Sequence, residues 1–141
     1  MAKDYDRERV YQAEKGISSL DWDSLAELRA VLNQTWNHAL GQMGNPPMVR
    51  TRRFATISTY RKLTNTVSLS PTDKTMLTLA HELSHAIVHN ETKHMYDREN
   101  VEGHGARFRE TYVIVTHVLV GPDAAIQLGT NFAGIPAAVG S

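Results

Sequence analysis

The chain has no cysteine. That single absence excludes disulfides, thiolate-held zinc, iron–sulfur clusters and a cysteine nucleophile. Neither sign of charge is in excess, since fifteen basic residues balance fifteen acidic ones. No global field therefore draws the chain to nucleic acid or to an anionic membrane. No run approaches the roughly 20 apolar residues that span a bilayer, and residues 1–10 are dense in charge where a signal peptide would be apolar. No membrane partner and a cytoplasmic location are expected. Internal repeats and low-complexity blocks are also missing. What is present, 141 residues of which 41% are hydrophobic and 21% charged, suits one soluble domain with its own core. Any metal chemistry must rest on seven histidines and the carboxylates.

Along the chain, residues 4–15 are charged with Val10 and Tyr11 interleaved, and read as a short surface helix stopped by Gly16. Residues 21–40 read as a longer helix, because Leu25, Leu28, Leu32, Trp36 and Leu40 recur at spacings of three and four. Glycine, proline and asparagine make 41–47 a loop. The period then changes. Residues 54–60 and 66–70 are rich in β-branched and aromatic types, with Leu63, Thr64 and Asn65 at a turn between them, which predicts a small, mainly antiparallel sheet. Arg50, Arg52 and Arg53 read as a solvated strand face. Ser70-Pro71-Thr72-Asp73 has the form of a helix start, with a capping hydroxyl, a proline at the first helical position and an acid facing the dipole. That helix should run to about residue 89. After a polar loop, Gly103-His104-Gly105 opens another helix with Phe108, Tyr112, Val115 and Leu119 on one face, ended by Gly121-Pro122. The expected organisation is a single α+β domain over 1–125 and a Gly/Ala-rich tail over 126–141.

The chemistry lies in His81-Glu82-Leu83-Ser84-His85, an H-E-x-x-H pattern on the helix just described. Histidines four apart share a helical face about 6 Å apart along the axis, so both rings can turn to one ion. Glu82 stands roughly 100° around the helix from His81. It can flank a metal without binding it and take a proton from a metal-activated water. With seven histidines and eight glutamates, chance yields this pentapeptide in roughly 2% of shuffled chains, so context must add to it. Leu79, Ala80, Leu83, Ala86 and Ile87 supply that context as a buried face beside the histidines.

A catalytic zinc needs a third protein ligand and one open position. His89 lies about 12 Å along the axis from His81, too far to share an ion bound at about 2 Å. The metzincin spacing is absent, because Val88 and Glu91 stand where it needs glycine and histidine. His104, between two glycines at a helix mouth, is the leading candidate. Glu102, Glu99 and His94 are reserve ligands. Three imidazoles without a thiolate suit one zinc ion ahead of manganese, cobalt or iron.

His81 to His85, then Asp97-Arg98-Glu99, then Gly103-His104-Gly105-Ala-Arg-Phe108 together resemble the SprT-like zinc metallopeptidases, in which an H-E-x-x-H helix is followed by a loop and a G-H-G-x-x-[FW] segment. The similarity spans about residues 67–112. The opening segment from Arg7 to Glu14 is similar to a family of small metallohydrolases of actinobacteria and their phages, which would place the protein inside a host cell. The resemblance implies a zincin-like α+β fold, a sheet packed with the active-site helix, zinc on His81, His85 and His104, Glu82 as general base, and proteolysis. The zinc ribbon of many SprT-like proteins would need cysteines, and no DNA-binding module is evident, so DNA-linked substrates are not implied.

The expected function is peptide-bond hydrolysis of a protein or peptide substrate. Tyr96, Tyr112 and Arg109 are candidates for oxyanion or substrate contacts, and strand 66–70 is a candidate free edge for an extended peptide. Alternatives are a zinc hydrolase of a non-peptide amide or small molecule, and an inactive zinc-containing regulatory or binding protein. Nucleic-acid binding through Arg50, Arg52, Arg53, Arg61 and Lys62 has no recognised motif behind it. Oligomeric state is left open.

Overall fold

A computed structural model describes residues 7–17, 19–93 and 104–134. In chain order they form helix α1 (Arg7–Glu14), helix α2 (Leu25–Thr35), strands β1 (Met48–Thr51), β2 (Thr59–Arg61) and β3 (Thr66–Leu69), and helices α3 (Met76–Thr92), α4 (Ala106–Leu119) and α5 (Pro122–Gly134). The α+β class expected from the sequence is present, as five helices and a three-stranded sheet among the described residues.

Local chemistry sets the limits of α2. The Ser24 hydroxyl accepts from the Glu27 amide at 3.1 Å, which caps the helix. Upstream, the backbone is already engaged: the Trp22 amide donates to Lys74 O, and the Met76 amide to Leu20 O. That pairing excludes 21–24 from the expected helix. At the other end, Trp36 and Leu40 remain buried although 36–40 are turns. Trp36 closes the last helical hydrogen bond, to Leu32 O at 2.9 Å, and Leu40 donates to Thr35 O at 2.8 Å, so the apolar period outlasts the helix.

The sheet is mixed and not mainly antiparallel. Its order is β1-β3-β2, with β1 parallel to β3 (Val49 opposite Val67) and β2 antiparallel to it (Tyr60 opposite Val67). The expected strand over 54–60 is replaced by a loop and a short strand. Phe54 and Ile57 face solvent, so their β propensity finds no surface to pack on. The β2–β3 turn falls where the sequence places it. Asn65 takes a left-handed backbone at φ +48°, and the Tyr60 hydroxyl donates to its side-chain oxygen at 2.7 Å. Because β3 lies in the middle, both its edges are already paired. The expectation that 66–70 offers a free edge is overturned.

The cap of helix α3 lies five residues after Ser70. It is Thr75, accepting from the Thr78 amide at 3.2 Å. The Ser70 hydroxyl instead donates to Ala55 O at 2.7 Å and pins the 52–58 loop. Leu79, Ala80, Leu83 and Ser84 are wholly enclosed, as in a helix packed on several sides. The sheet covers one side and α4 another, with α5 against α4 and α1 against α5.

Two expectations for the chain ends change. Helix α1 is not only a surface helix, since Val10 and Ala13 are fully buried. It is tied to α5 by Arg9 donating to Phe132 O at 2.9 Å and Asn131 donating to Ala13 O at 2.8 Å. The expected tail over 126–141 is helical as far as Gly134, with Ala125, Leu128 and Phe132 buried. Pro122 suits the first helical position, and three apolar residues at spacings of three and four give the inner face. Residues 135–141 lie outside the described residues. Among the described residues no helix is long and apolar enough to cross a membrane.

Leu128→Ala measures how far α5 belongs to the core. The side chain is fully buried, so the substitution should destabilise the fold by about 2–5 kcal/mol, read by urea unfolding. A loss well under 1 kcal/mol would show that α5 does not pack as described.

Candidate metal centre

His81 and His85 project from one face of α3, four residues apart, with ring centroids 5.2 Å apart. His104 precedes α4 by two residues, and Gly105 occupies the extended cap position between them. Arg109 donates to His104 O at 2.9 Å and fixes the peptide there. The three histidines offer ligand atoms that all lie within 4.8 Å of one another. His81 and His104 are buried and His85 is half-buried.

Phe108 organises the group. It is fully buried, stacks on His85 at 4.3 Å between centroids, and meets His81 at 5.2 Å and His104 at 4.9 Å. One aromatic side chain thus forms a common wall for rings drawn from α3 and from the turn before α4. Tyr11 lies nearly parallel to His81, 5.8 Å away at an interplanar angle of 8°.

His81 Nδ1 is bonded to the Glu14 carboxylate, and Glu14 also accepts from the Tyr112 hydroxyl at 2.9 Å. A carboxylate acceptor fixes the proton on Nδ1 and turns the lone pair of Nε2 inward. His81 Nε2 is 3.3 Å from His104 Nε2. Tetrahedral zinc with bonds of about 2.0–2.1 Å places its ligands roughly 3.3–3.4 Å apart, so this pair already has the spacing of two ligands. The donor set fits a metal ion.

Burial, followed by the charges of His81, His104 and Lys62, holds His85 well below its usual pKa. A neutral ring is the ligating form. Glu82 is buried next to the group, with its carboxylate 3.9 Å from His81 Nε2. Burial pushes its pKa up to about 7 against the lowering influence of His81, with Glu14 and Asp73 adding to the rise.

The structure therefore brings together His81, Glu82, His85 and His104. Tyr112 is fully enclosed, with its hydroxyl committed to Glu14. Tyr96, His94, Glu99 and Glu102 lie outside the described residues. His89 points elsewhere, with its ring 6.3 Å from that of Tyr60. Arg50, Arg52 and Arg53 line an exposed hollow of about 650 Å³ at the β1–β2 loop. A larger, apolar cavity of about 800 Å³ between α4 and α5 contains none of the histidine group.

Glu14 and Tyr11 are the residues that the sequence reading misses. The available signal is Glu14 standing four residues after Val10 and next to Ala13, which places a carboxylate beside an apolar stripe. Searches against protein-family models, curated proteins and solved structures return no match.

Two measurements test the site. Partners that only support metal ligands change affinity by about 10–100-fold, so His104→Ala should weaken zinc binding by more than that, read by chelator competition. Unchanged affinity would reduce the histidine pair to an ordinary N–H···N contact. In the metal-free protein, the raised pKa of Glu82 means that the folded state keeps a proton between pH 4.5 and 7 that the unfolded chain releases. Wild type should therefore lose stability relative to Glu82→Gln as pH rises through that window, by about 3 kcal/mol. Urea unfolding in chelator at pH 5 and pH 7.5 reads the difference, and a gain by wild type would contradict the shift.

Proposed function

We propose that this chain is a zinc-dependent hydrolase, a metallopeptidase of the H-E-x-x-H type with the site arrangement of the SprT-like enzymes it resembles. The observation that carries the reading is a set of three imidazoles converging within 4.8 Å, with a buried, non-ligating carboxylate one residue from the first. His81, His85 and His104 would hold the ion. Zinc, when bound, supplies a Lewis acid and brings the ionisation of water toward neutral pH.

The chain's own residues do the rest. Glu82 accepts a proton from the attacking water and delivers it to the leaving amine. Burial raises its pKa in the metal-free protein, and a carboxylate so shielded is a stronger base than a solvated one. Phe108 and the enclosed parts of α3 and α4 keep bulk water from the inner side of the histidines, which strengthens every charge interaction there. Tyr112 supports Glu14 and is not the oxyanion donor, because its hydroxyl already has a partner.

A peptide substrate is favoured over a small molecule by the position of β2. It forms one outer strand of the sheet, and Lys62, one residue past its end, is close enough to bear on the charge of His85. An extended chain pairing with β2 would run toward the histidines. This role passes to β2 from β3, which has no edge to offer.

Glu82→Gln is the decisive variant. It should retain zinc within a few-fold of wild type and lose cleavage of an unstructured protein substrate by about 10²–10⁴-fold. A variant that cuts as fast as the parent removes Glu82 from the reaction. A wild type that binds zinc yet cleaves neither peptides nor proteins removes the peptidase reading.

A further inference from the structure

We propose that Glu14, held by the Tyr112 hydroxyl, is a positioning residue for the metal centre, so that the N-terminal helix completes the ligand set through His81. The inference rests on the metal reading above and adds to it a residue from an element remote in sequence.

Three observations converge on this assignment. First, the contact is specific. The Glu14 carboxylate meets His81 at Nδ1, the nitrogen that faces away from His104, while Nε2 is the atom 3.3 Å from His104 Nε2. A ligating histidine works through one nitrogen and needs its other N–H satisfied. A carboxylate there fixes the tautomer, locks the ring's rotation and makes the ligating nitrogen more basic.

Second, Glu14 is itself held. Its Oε1 accepts the Tyr112 hydroxyl at 2.9 Å, and Tyr112 is fully enclosed. The same oxygen thus faces a ring N–H and a phenol O–H, a fixed acceptor rather than a loose surface acid. The resulting chain runs from Tyr112 on α4, through Glu14 on α1, to His81 on α3.

Third, α1 is docked and not merely adjacent. Val10 and Ala13, four and one residues before Glu14, are fully buried. The Arg9–Phe132 and Asn131–Ala13 hydrogen bonds hold the helix to α5. Tyr11, from the neighbouring turn, covers the His81 ring. A surface helix serving solubility alone has no use for an acid on its inner face, where an unpaired carboxylate would be strongly unfavourable.

The assignment is tested by zinc binding and by a structural readout, not by turnover. Zinc affinity at pH 7.5 is measured by competition with a chromophoric chelator for the full chain and for Glu14→Ala, Glu14→Gln, Tyr112→Phe and Glu8→Gln. Glu8 is an exposed acid on the same helix and serves as the control. Glu14→Ala should weaken binding by about 10–100-fold and Tyr112→Phe by less, with Glu8→Gln unchanged. Glu14→Gln keeps the side chain's shape and removes its charge. It should lose roughly ten-fold while remaining folded, which covers the case in which the alanine variant does not fold. In the zinc-loaded wild type, long-range ¹H–¹⁵N correlation should give His81 a proton on Nδ1, and Glu14→Ala should expose that proton to fast exchange. Equal affinities for wild type and both Glu14 variants, or a His81 that binds through Nδ1, overturn the positioning role and leave the metal site standing. A wild type that binds no zinc overturns both.

Discussion

The constraint on which the rest of the structure depends is the approach of two imidazole nitrogens, from His81 and His104, to 3.3 Å inside the protein. Their residues are 23 positions apart, one on α3 and the other in the turn before α4, so no local preference brings them together. What does so is the packing of α4 on α3 through Phe108 and Tyr112, both fully enclosed. Phe108 meets all three histidine rings and Tyr112 reaches past them to Glu14. A shift of one helix along the other by a single turn, about 5.4 Å, would separate the ligands beyond the span of any ion. The apolar interface between α3 and α4 is therefore a condition of the chemistry.

Enclosing this much polarity has a free-energy cost that the surrounding core must offset. Burial raises Glu82 to about 7 and lowers His85, in both cases toward the neutral form. A buried group that cannot be solvated gives up its charge unless a partner keeps it. The same displacement that weakens the metal-free fold favours a neutral His85, the form of imidazole that binds a metal, beside a Glu82 carboxyl group that titrates near physiological pH. Local instability and chemical readiness here have one cause, the removal of water from around α3.

The sequence is legible where information is local and silent where it is not. H-E-x-x-H on an apolar helix and His104 between glycines are patterns of five and three residues, and both reach the site as read. The turn at Asn65 is likewise local. Strand order is not, because the period of two marks strands without saying which lies in the middle, and β3 came to occupy the centre. Ser70 has every attribute of a helix cap, yet its hydroxyl finds Ala55 O instead, fifteen residues back and invisible in the local pattern. In the last helix, a Gly- and Ala-rich composition masks Ala125, Leu128 and Phe132, whose spacing is helical. Glu14 is the deepest omission, since its meaning comes from a partner 67 residues away.

That omission bears on how the site is built. The two motifs visible in the sequence supply atoms that can touch a metal, and both stand on the α3–α4 pair. Without α1, that pair would lack the carboxylate that faces His81 Nδ1. Helix α1 supplies that acceptor, together with Tyr11 lying nearly parallel to the His81 ring. It can do so only because α5 holds it in place through Phe132 and Asn131. The order of dependence thus runs opposite to the order of visibility. The least distinctive segments at the two ends of the described chain fix the orientation of the residue in its most distinctive motif.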